Sequence, residues 1–422
     1  MKKVHKGWII LFLLFCTMLG SLGFGRFSLG AILPFMREGL ALDYRQIGLI
    51  ASSAFIGYLL SVSIVGYFVI RFGAKKIINY SLFIIIVGMV LNANAMSFWL
   101  AYFGCLLLGI GAGGSSIPTM GLAGRWFSNK KKGMAIGIVS GGLGVGIVIS
   151  GLFVPTIVNI TAEGWRISWY ILAIITFLFI IVNWIFLKNS PEELGLKPVG
   201  DEESVSKLSK KVETPEQSGK WSVYKNKQVW IIGFIYLSWG FSYLIFSTFL
   251  VDYLMVELHF SKELAGLIFS IAGFVSIISG FIWGGFSDKY GRMYALSLVL
   301  AIQFSMLIAL TMSTSTFFIV LESIIYGLTL WAVPTIMNAS VAEYVKISYV
   351  PVAMGFVTVF FSIGQIVSPI ITGFIIDSTN SYYLAFLLSA LICLCGAIGC
   401  MRLHFMKRSK QKVVVTNSNL NI

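Results

Sequence analysis

The sequence predicts an all-α integral membrane protein of twelve transmembrane helices arranged as two six-helix pseudo-repeats. Three observations predict it. First, 57% of the 422 residues are hydrophobic and only 11% are charged, with a mean hydropathy of +0.89. A soluble domain carries about a quarter charged residues, and no water-bounded core could hide this much apolar surface. Second, the chain holds twelve apolar stretches, each meeting the roughly 20 residues a helix needs to cross a bilayer. Third, three pairs of short motifs recur at nearly the same offset, the signature of a duplicated unit.

The predicted spans cover residues 8–35, 46–70, 77–95, 98–124, 133–158 and 166–187, then 228–254, 264–286, 293–312, 316–341, 351–376 and 382–404. The first follows the basic "MKKVHK" and is too long for the apolar core of a signal peptide, so it is expected to be an uncleaved span. Residues 188–227 form the one long polar segment, with eight lysines against seven acids and many Ser, Pro and Gly. That composition predicts a solvated linker, with a short amphipathic piece near Trp221. The expected domains are therefore 1–187, a cytoplasmic linker 188–227, a second bundle 228–404 and a cytoplasmic tail 405–422.

The duplication is visible in three places. "GYFVIRFGAKK" after the second span matches "GGFSDKYGRMY" after the eighth, with Gly66 and Gly284 separated by 218 residues. Pro118-Thr119 in the fourth span matches Pro334-Thr335 in the tenth at 216, and "GMAIGIVSGGLG" matches "AMGFVTVFFSIG" at 220. Parallel six-helix repeats with a site between them are one plan of secondary transporters.

Charge sets the orientation. With the N-terminus inside, 26 of the 31 lysines and arginines fall on inner segments. Only Arg37, Arg45, Arg166 and Lys262 fall outside, and Arg26 lies within a span. The positive-inside bias places both termini in the cytoplasm of a multi-pass cytoplasmic-membrane protein. It also accounts for the net charge of +14 without a nucleic-acid partner, since the positive charge lines the inner membrane surface. The five cysteines sit in apolar runs as small buried residues, with no paired spacing. No metal site, cofactor motif or nucleophile constellation stands out, and G-x-x-x-x-G-K-[ST] is absent. An enzyme would need such a cluster. A membrane sensor would need a soluble output domain, for which about 40 polar residues are too few.

These motifs resemble those of the major facilitator superfamily, over the whole chain. Its loop after the second span reads G-x-x-x-D-R-x-G-R-R. Gly284, Asp288, Lys289, Gly291 and Arg292 fit it in the second half; Gly66, Arg71, Gly73, Lys75 and Lys76 fit it in the first, where Ile70 replaces the acid. The resemblance implies a charge latch that gates the carrier, intact in the second half and lacking its acid in the first. The Gly/Pro-rich fifth span, from Gly137 to Pro155, is similar to the family's fifth-span motif, which lets helices pack closely and rock. "NSPEELGLKP" after the sixth span resembles branches carrying organic or inorganic anions. "GFGRFSLGAILPFM" and "YLIFSTFLVDYL" resemble a poorly characterised bacterial branch with a Gly-Arg-Phe first helix. The implied protein is a monomeric secondary active transporter working by alternating access, with a small-molecule substrate, a coupling ion, most simply a proton, and the lipid bilayer as partners.

Arg26 is the residue to explain. A charge this deep costs between about 2.5 and more than 10 kcal/mol in lipid, while its planar fork of donors suits a carboxylate. It is expected to anchor an organic anion such as a monocarboxylate, or else to pair within the bundle. Glu322, the acid inside the tenth span, is its expected partner and the expected proton-coupling group. Ser115 and Thr119 in the fourth span, Tyr236, Trp239 and Tyr243 in the seventh, Tyr326 in the tenth and Gln365 in the eleventh are the remaining candidates for substrate contact. The alternative is a proton-driven exporter of hydrophobic or cationic compounds, with Glu322 facing the substrate. The eighth span has no charge in its apolar part, where some carboxylate carriers of the superfamily place an arginine. Asp252, Asp377 and Glu257, at outer helix ends, are expected to be solvated.

Overall fold

The computed structural model describes residues 5–128, 131–161, 163–200, 223–345 and 349–419. Twelve helices among them are long and apolar enough to cross a membrane. They are α1 Lys6–Gly39, α2 Tyr44–Phe72, α3 Ala74–Ala93, α4 Phe98–Trp126, α5 Lys132–Ile160, α6 Gly164–Phe186, α7 Lys227–Val256, α8 Lys262–Tyr290, α9 Arg292–Met312, α10 Thr316–Glu343, α11 Val352–Thr379 and α12 Tyr383–Met406. The last helix continues to Asn419, through most of the expected tail. Trp221 and the linker residues around it lie outside the described residues.

Helix ends follow local chemistry. Asp43 and Gln46 form a reciprocal capping box at the start of α2, which satisfies two amide donors that a helix N-terminus leaves open. Gly73 at φ +84° and Gly291 at φ +96° end α2 and α8, and their amides bond Val69 and Ser287 carbonyls, each at 2.9 Å. A side chain is strained at such φ values. The two glycines stand 218 residues apart and do the same job in the two repeats.

Two spans depart from regular α geometry. In α1 a π-helical stretch, Leu19–Phe27, lies between two α segments, and the Ser28 amide reaches back to the Gly23 carbonyl at 3.1 Å. α10 breaks at Trp331. Pro334 has no amide for the Leu330 carbonyl and its ring crowds that residue. At the break the Trp331 amide donates to Ser279 Oγ at 3.0 Å.

Two compact units emerge: Met1–Ser209 with Ile245–Ile277 and Ile366–Tyr382, and Lys210–Leu244 with Ile278–Gln365 and Tyr383–Ile422. The boundary differs from the expected 1–187 and 228–404, because one half each of α7, α8 and α11 packs with α1–α6. These are the halves remote from the chain termini, called distal below. A Cβ on Gly48 would run into the Pro369 carbonyl, one on Gly373 into Tyr44, and one on Gly266 into Gly151. These distal crossings are thus backbone against backbone, as small residues allow in membranes.

Residues 188–200 also depart from a solvated linker. They turn through a short helix, Pro191–Leu194, and dock on the first bundle. Val199 accepts from the Ser128 amide at 3.1 Å and donates to the Trp126 carbonyl at 2.9 Å. Asn189 Oδ1 accepts from the Lys75 amide at 2.8 Å, beside the Gly73 turn. The proline-and-glycine segment thus acts as a strap across the ends of α3 and α4. Removing the Asn189 acceptor leaves a part-buried amide without its bond. Asn189→Ala is expected to cost about 1–2 kcal/mol, read as a fall of a few degrees in melting temperature in detergent, whereas an unchanged Tm would mean the strap holds nothing.

Candidate functional site

Arg26 lies at the end of the π-helical stretch and is only 8% exposed. Gly23 and Gly25 make room for this turn. A Cβ on Gly23 would meet Gly142 O and Gly146 Cα on α5 at 3.0 Å, and one on Gly25 would meet Ile85 at 3.1 Å. The guanidinium carbon stands 4.3 Å from the Phe55 ring centroid, 4.7 Å from Tyr58 and 5.6 Å from Phe27. Phe55 and Tyr58 are three apart on α2, so one helix face presents both rings.

The polar side of this group is unpaired among the described residues. Nε and Nη2 are buried without a hydrogen-bond partner among the described residues. These two nitrogens form one edge of the guanidinium, whose parallel N–H bonds match the two oxygens of a carboxylate. Burying a charge costs several kcal/mol, and cation–π contacts return about 2 kcal/mol when desolvated. The aromatic cage therefore offsets only part of the penalty. A bidentate anion has the geometry and the charge to supply the rest.

Ser115 and Thr119 are placed inside the α4 packing. Both are fully buried, and their hydroxyls donate to carbonyls of their own helix, Ala112 and Ser115, at 3.2 and 2.7 Å. In the second unit Tyr236, Trp239 and Tyr243 do share a face of α7, but their rings stack on one another and on Phe361 of α11. Tyr236 and Phe361 are 4.5 Å apart and Trp239 and Tyr243 4.4 Å, all nearly parallel. Gln365, four residues beyond Phe361 on α11, donates from Nε2 to the Tyr243 hydroxyl, which brings two of the expected residues together. Tyr326 is buried in the same unit.

Glu322 is placed away from the middle of its span. Its Oε1 accepts from Ser313 Oγ at 2.6 Å, and Ser313 follows the end of α9. The carboxyl is therefore drawn to the distal end of its bundle, although Oε2 is buried without a hydrogen-bond partner among the described residues. The carboxyl lies nearer the start of α10 than its Cα, because a helical side chain leans back toward the helix N-terminus.

The two repeat loops differ as their sequences do. Arg292 pairs with Asp288 at 3.7 Å and with Glu343 at 2.9 Å, so the α8 end is tied to the α10 end; Lys289 points its ammonium over the Tyr290 ring. In the first repeat Ile70 is 89% exposed, Arg71 reaches the Tyr67 hydroxyl at 3.4 Å, and no side chain crowds Gly66. The Gly73 turn is held by Asn189 in place of a charge pair.

Three acids expected in solvent are engaged. Asp252 is 3% exposed, faces Arg37 at 3.6 Å and accepts from the Tyr382 hydroxyl. Asp377 accepts from the Tyr44 amide at 3.1 Å and faces Arg45 at 3.3 Å. Glu257 accepts from Ser381 Oγ at 2.7 Å and the Tyr382 amide at 2.8 Å. The sequence placed them at helix ends correctly, but the partners come from segments up to 333 residues away. Phe55, Tyr58, Phe361 and Glu343 were likewise not singled out. The i, i+3 aromatic pair on α2 was the one legible signal among them.

Twelve spans in a duplicated arrangement, with matched glycine turns, are the architecture of a multi-pass membrane transporter. The chain belongs to the major facilitator superfamily, whose sequence model matches residues 13–345 and 248–420. It is 27% identical to the hexuronate transporter of Bacillus subtilis (strain 168), over 93% of each chain. It is 23% identical to the probable sulfoacetate transporter SauU of Cupriavidus necator, over 88% of each. Its fold matches the crystal structure of a mutant nucleoside transporter NupG with a TM-score of 0.75, at 14% identity, over 93% of this chain and 99% of that one. The protein is accordingly a transporter and not an enzyme.

Proposed function

We propose that this protein is a secondary active transporter that carries a small carboxylate-bearing organic anion across the cytoplasmic membrane by alternating access, with Arg26 as the anion anchor. The observation that carries the reading is the unpartnered Nε and Nη2 edge of Arg26, backed by the aromatic rings of Phe55 and Tyr58. Relatives named for hexuronate and sulfoacetate support an anionic substrate. The proposed driving force is the proton gradient. Glu322 is the proposed coupling group, since a proton on its buried Oε2 would remove a charge that, among the described residues, is met by a hydrogen bond from Ser313 alone.

The test is thermal stability of the purified protein in detergent against carboxylates, amines and neutral solutes. A ligand that binds only the folded state stabilises by about 2.7 kcal/mol at a hundredfold excess over Kd. A carboxylate is expected to raise the melting temperature by several degrees while amines of the same size leave it unchanged. Stabilisation by amines alone would overturn the anion reading.

A further inference from the structure

The distal side of the first unit holds a cluster that the transport reading does not use. Asp252 on α7 is buried and faces Arg37 of α1 at 3.6 Å. Its Oδ2 accepts from the Tyr382 hydroxyl, while Oδ1 has no hydrogen-bond partner among the described residues. Tyr382 oxygen lies 3.0 Å from the Tyr44 oxygen on α2. Each phenol has one proton. Since Tyr382 donates to Asp252, Tyr44 is the donor to Tyr382. Tyr44 itself is half-buried, and its ring carries the Arg37 guanidinium at 4.5 Å. The result is a directed chain from the distal surface to a buried carboxylate: Tyr44, Tyr382, Asp252.

We propose that Asp252 is a proton-binding site loaded from the distal surface through Tyr44 and Tyr382, and that its protonation unlatches the distal gate by releasing Arg37. The proton transfer balances simply. A proton from solvent reaches the Tyr44 oxygen as Tyr44 passes its own to Tyr382 and Tyr382 passes its own to Asp252 Oδ2. Both phenols end with one O–H and Asp252 ends as a neutral acid. Burial, then the neighbouring Asp252 carboxylate and Tyr44, push the Tyr382 hydroxyl far above the ordinary tyrosine range. Tyr382 therefore stays a protonated relay at any physiological pH.

The latch spans four elements. Arg37 lies on α1, Tyr44 on α2, Asp252 on α7 and Tyr382 in the α11–α12 connection. Other charged groups are accounted for. Glu38 on α1 is exposed; Glu257 is held by Ser381 and the Tyr382 amide; Asp377 is held by Arg45 and the start of α2. Opening the gate with Asp252 ionised would take Arg37 away from a buried carboxylate and leave that carboxylate uncompensated, the costly way to break an ion pair. Neutralising Asp252 first avoids that cost. The sign follows: closure is favoured above the pH at which Asp252 takes its proton and weakens as pH falls through it.

The experiment needs no substrate. Ser52 on α2 is buried beneath the latch and donates to the Ile366 carbonyl at 2.7 Å. Ser52→Cys, in a chain whose exposed Cys395 is replaced by alanine, is treated with a maleimide in detergent between about pH 5 and 8. Its rate is divided by that of the unfolded protein at the same pH, which removes the pH dependence of the thiol. The normalised rate is expected to rise as pH falls, approaching about tenfold per pH unit, the limit for one proton. Asp252→Asn should label fast at every pH, Asp252→Glu should restore the pH response, and Asp377→Asn should keep it. A flat profile in the parent overturns the proposal, and so does a response lost in Asp377→Asn but kept in Asp252→Asn. If Asp252→Asn does not fold, Arg37→Gln breaks the same pair from the other side and should also label fast without a pH response; a protected, pH-sensitive Arg37→Gln overturns it. The inference rests on the transport reading only in needing a gate that opens. An Arg26→Gln background should leave the labelling response intact, so failure of the anion site and failure of the latch are read separately.

Discussion

Arg26→Gln is expected to abolish stabilisation by any carboxylate while leaving the ligand-free protein as stable as before, or more so. The two halves of this result have different causes. A carboxylate bound to the Nε and Nη2 edge makes two charge-assisted hydrogen bonds, each worth about 1.5–3 kcal/mol. Losing both lowers affinity by a hundredfold or more, since 1.4 kcal/mol corresponds to about tenfold. The ligand-free protein, in contrast, loses a buried charge whose Nε and Nη2 have no hydrogen-bond partner among the described residues. A shorter, neutral amide is cheaper to bury than an unpaired charge. Arg26→Lys separates charge from geometry: it keeps the cation and loses the planar fork, and should recover little of the affinity. Isothermal titration and melting curves on the three proteins decide it. If Arg26→Gln instead destabilised the ligand-free protein by the 3–5 kcal/mol typical of a broken buried pair, Arg26 would be a structural partner and the anion reading would fall.

The second large effect is steric. A Cβ on Gly109 of α4 would be driven into the Ala54 carbonyl of α2 and close to the Tyr58 amide at 2.9 Å. Both obstacles are backbone, so no side chain can swing aside. Gly109→Ala must push apart two helices whose contact also positions Phe55 and Tyr58 behind Arg26. Overpacking costs about 1–3 kcal/mol, and more where nothing can yield, so Gly109→Ala is expected to sit at or above the top of that range. Gly137 on α5 is the control, with nothing within 4 Å of an added Cβ; Gly137→Ala should be neutral, or slightly stabilising through helix propensity. The measure is the fraction extracted as a monodisperse species and its melting temperature. Equal behaviour of the two variants would mean that the α2–α4 crossing is looser than its geometry.

The latch sequence in the second repeat was legible because it is local: Asp288 and Arg292 are four residues apart, across the Gly291 turn. Its third member, Glu343, was not, because it arrives from the far end of α10. The missing acid at Ile70 was equally plain, but its replacement by a strap through Asn189 was not. Arg26 stood out as a lone charge in an apolar run. Its cage did not, since Phe55 and Tyr58 are two aromatics among the chain's 62 Phe, Tyr and Trp residues.

Sequence by itself determined the class of fold, the twelve spans, the duplication and the glycine turns, because these follow from hydropathy along the chain and from backbone freedom at single residues. Only the tertiary structure decided which polar groups are spent and which are free. Ser115 and Thr119 turned out to serve their own helix, Glu322 to reach Ser313, and Asp252 to leave solvent for Arg37 and Tyr382. The physical reason is that burial and pairing of a polar group depend on segments hundreds of residues away, which hydropathy and periodicity do not encode. The same holds for the π-helical stretch of α1, where close approach of the α5 backbone sets the turn that presents Arg26.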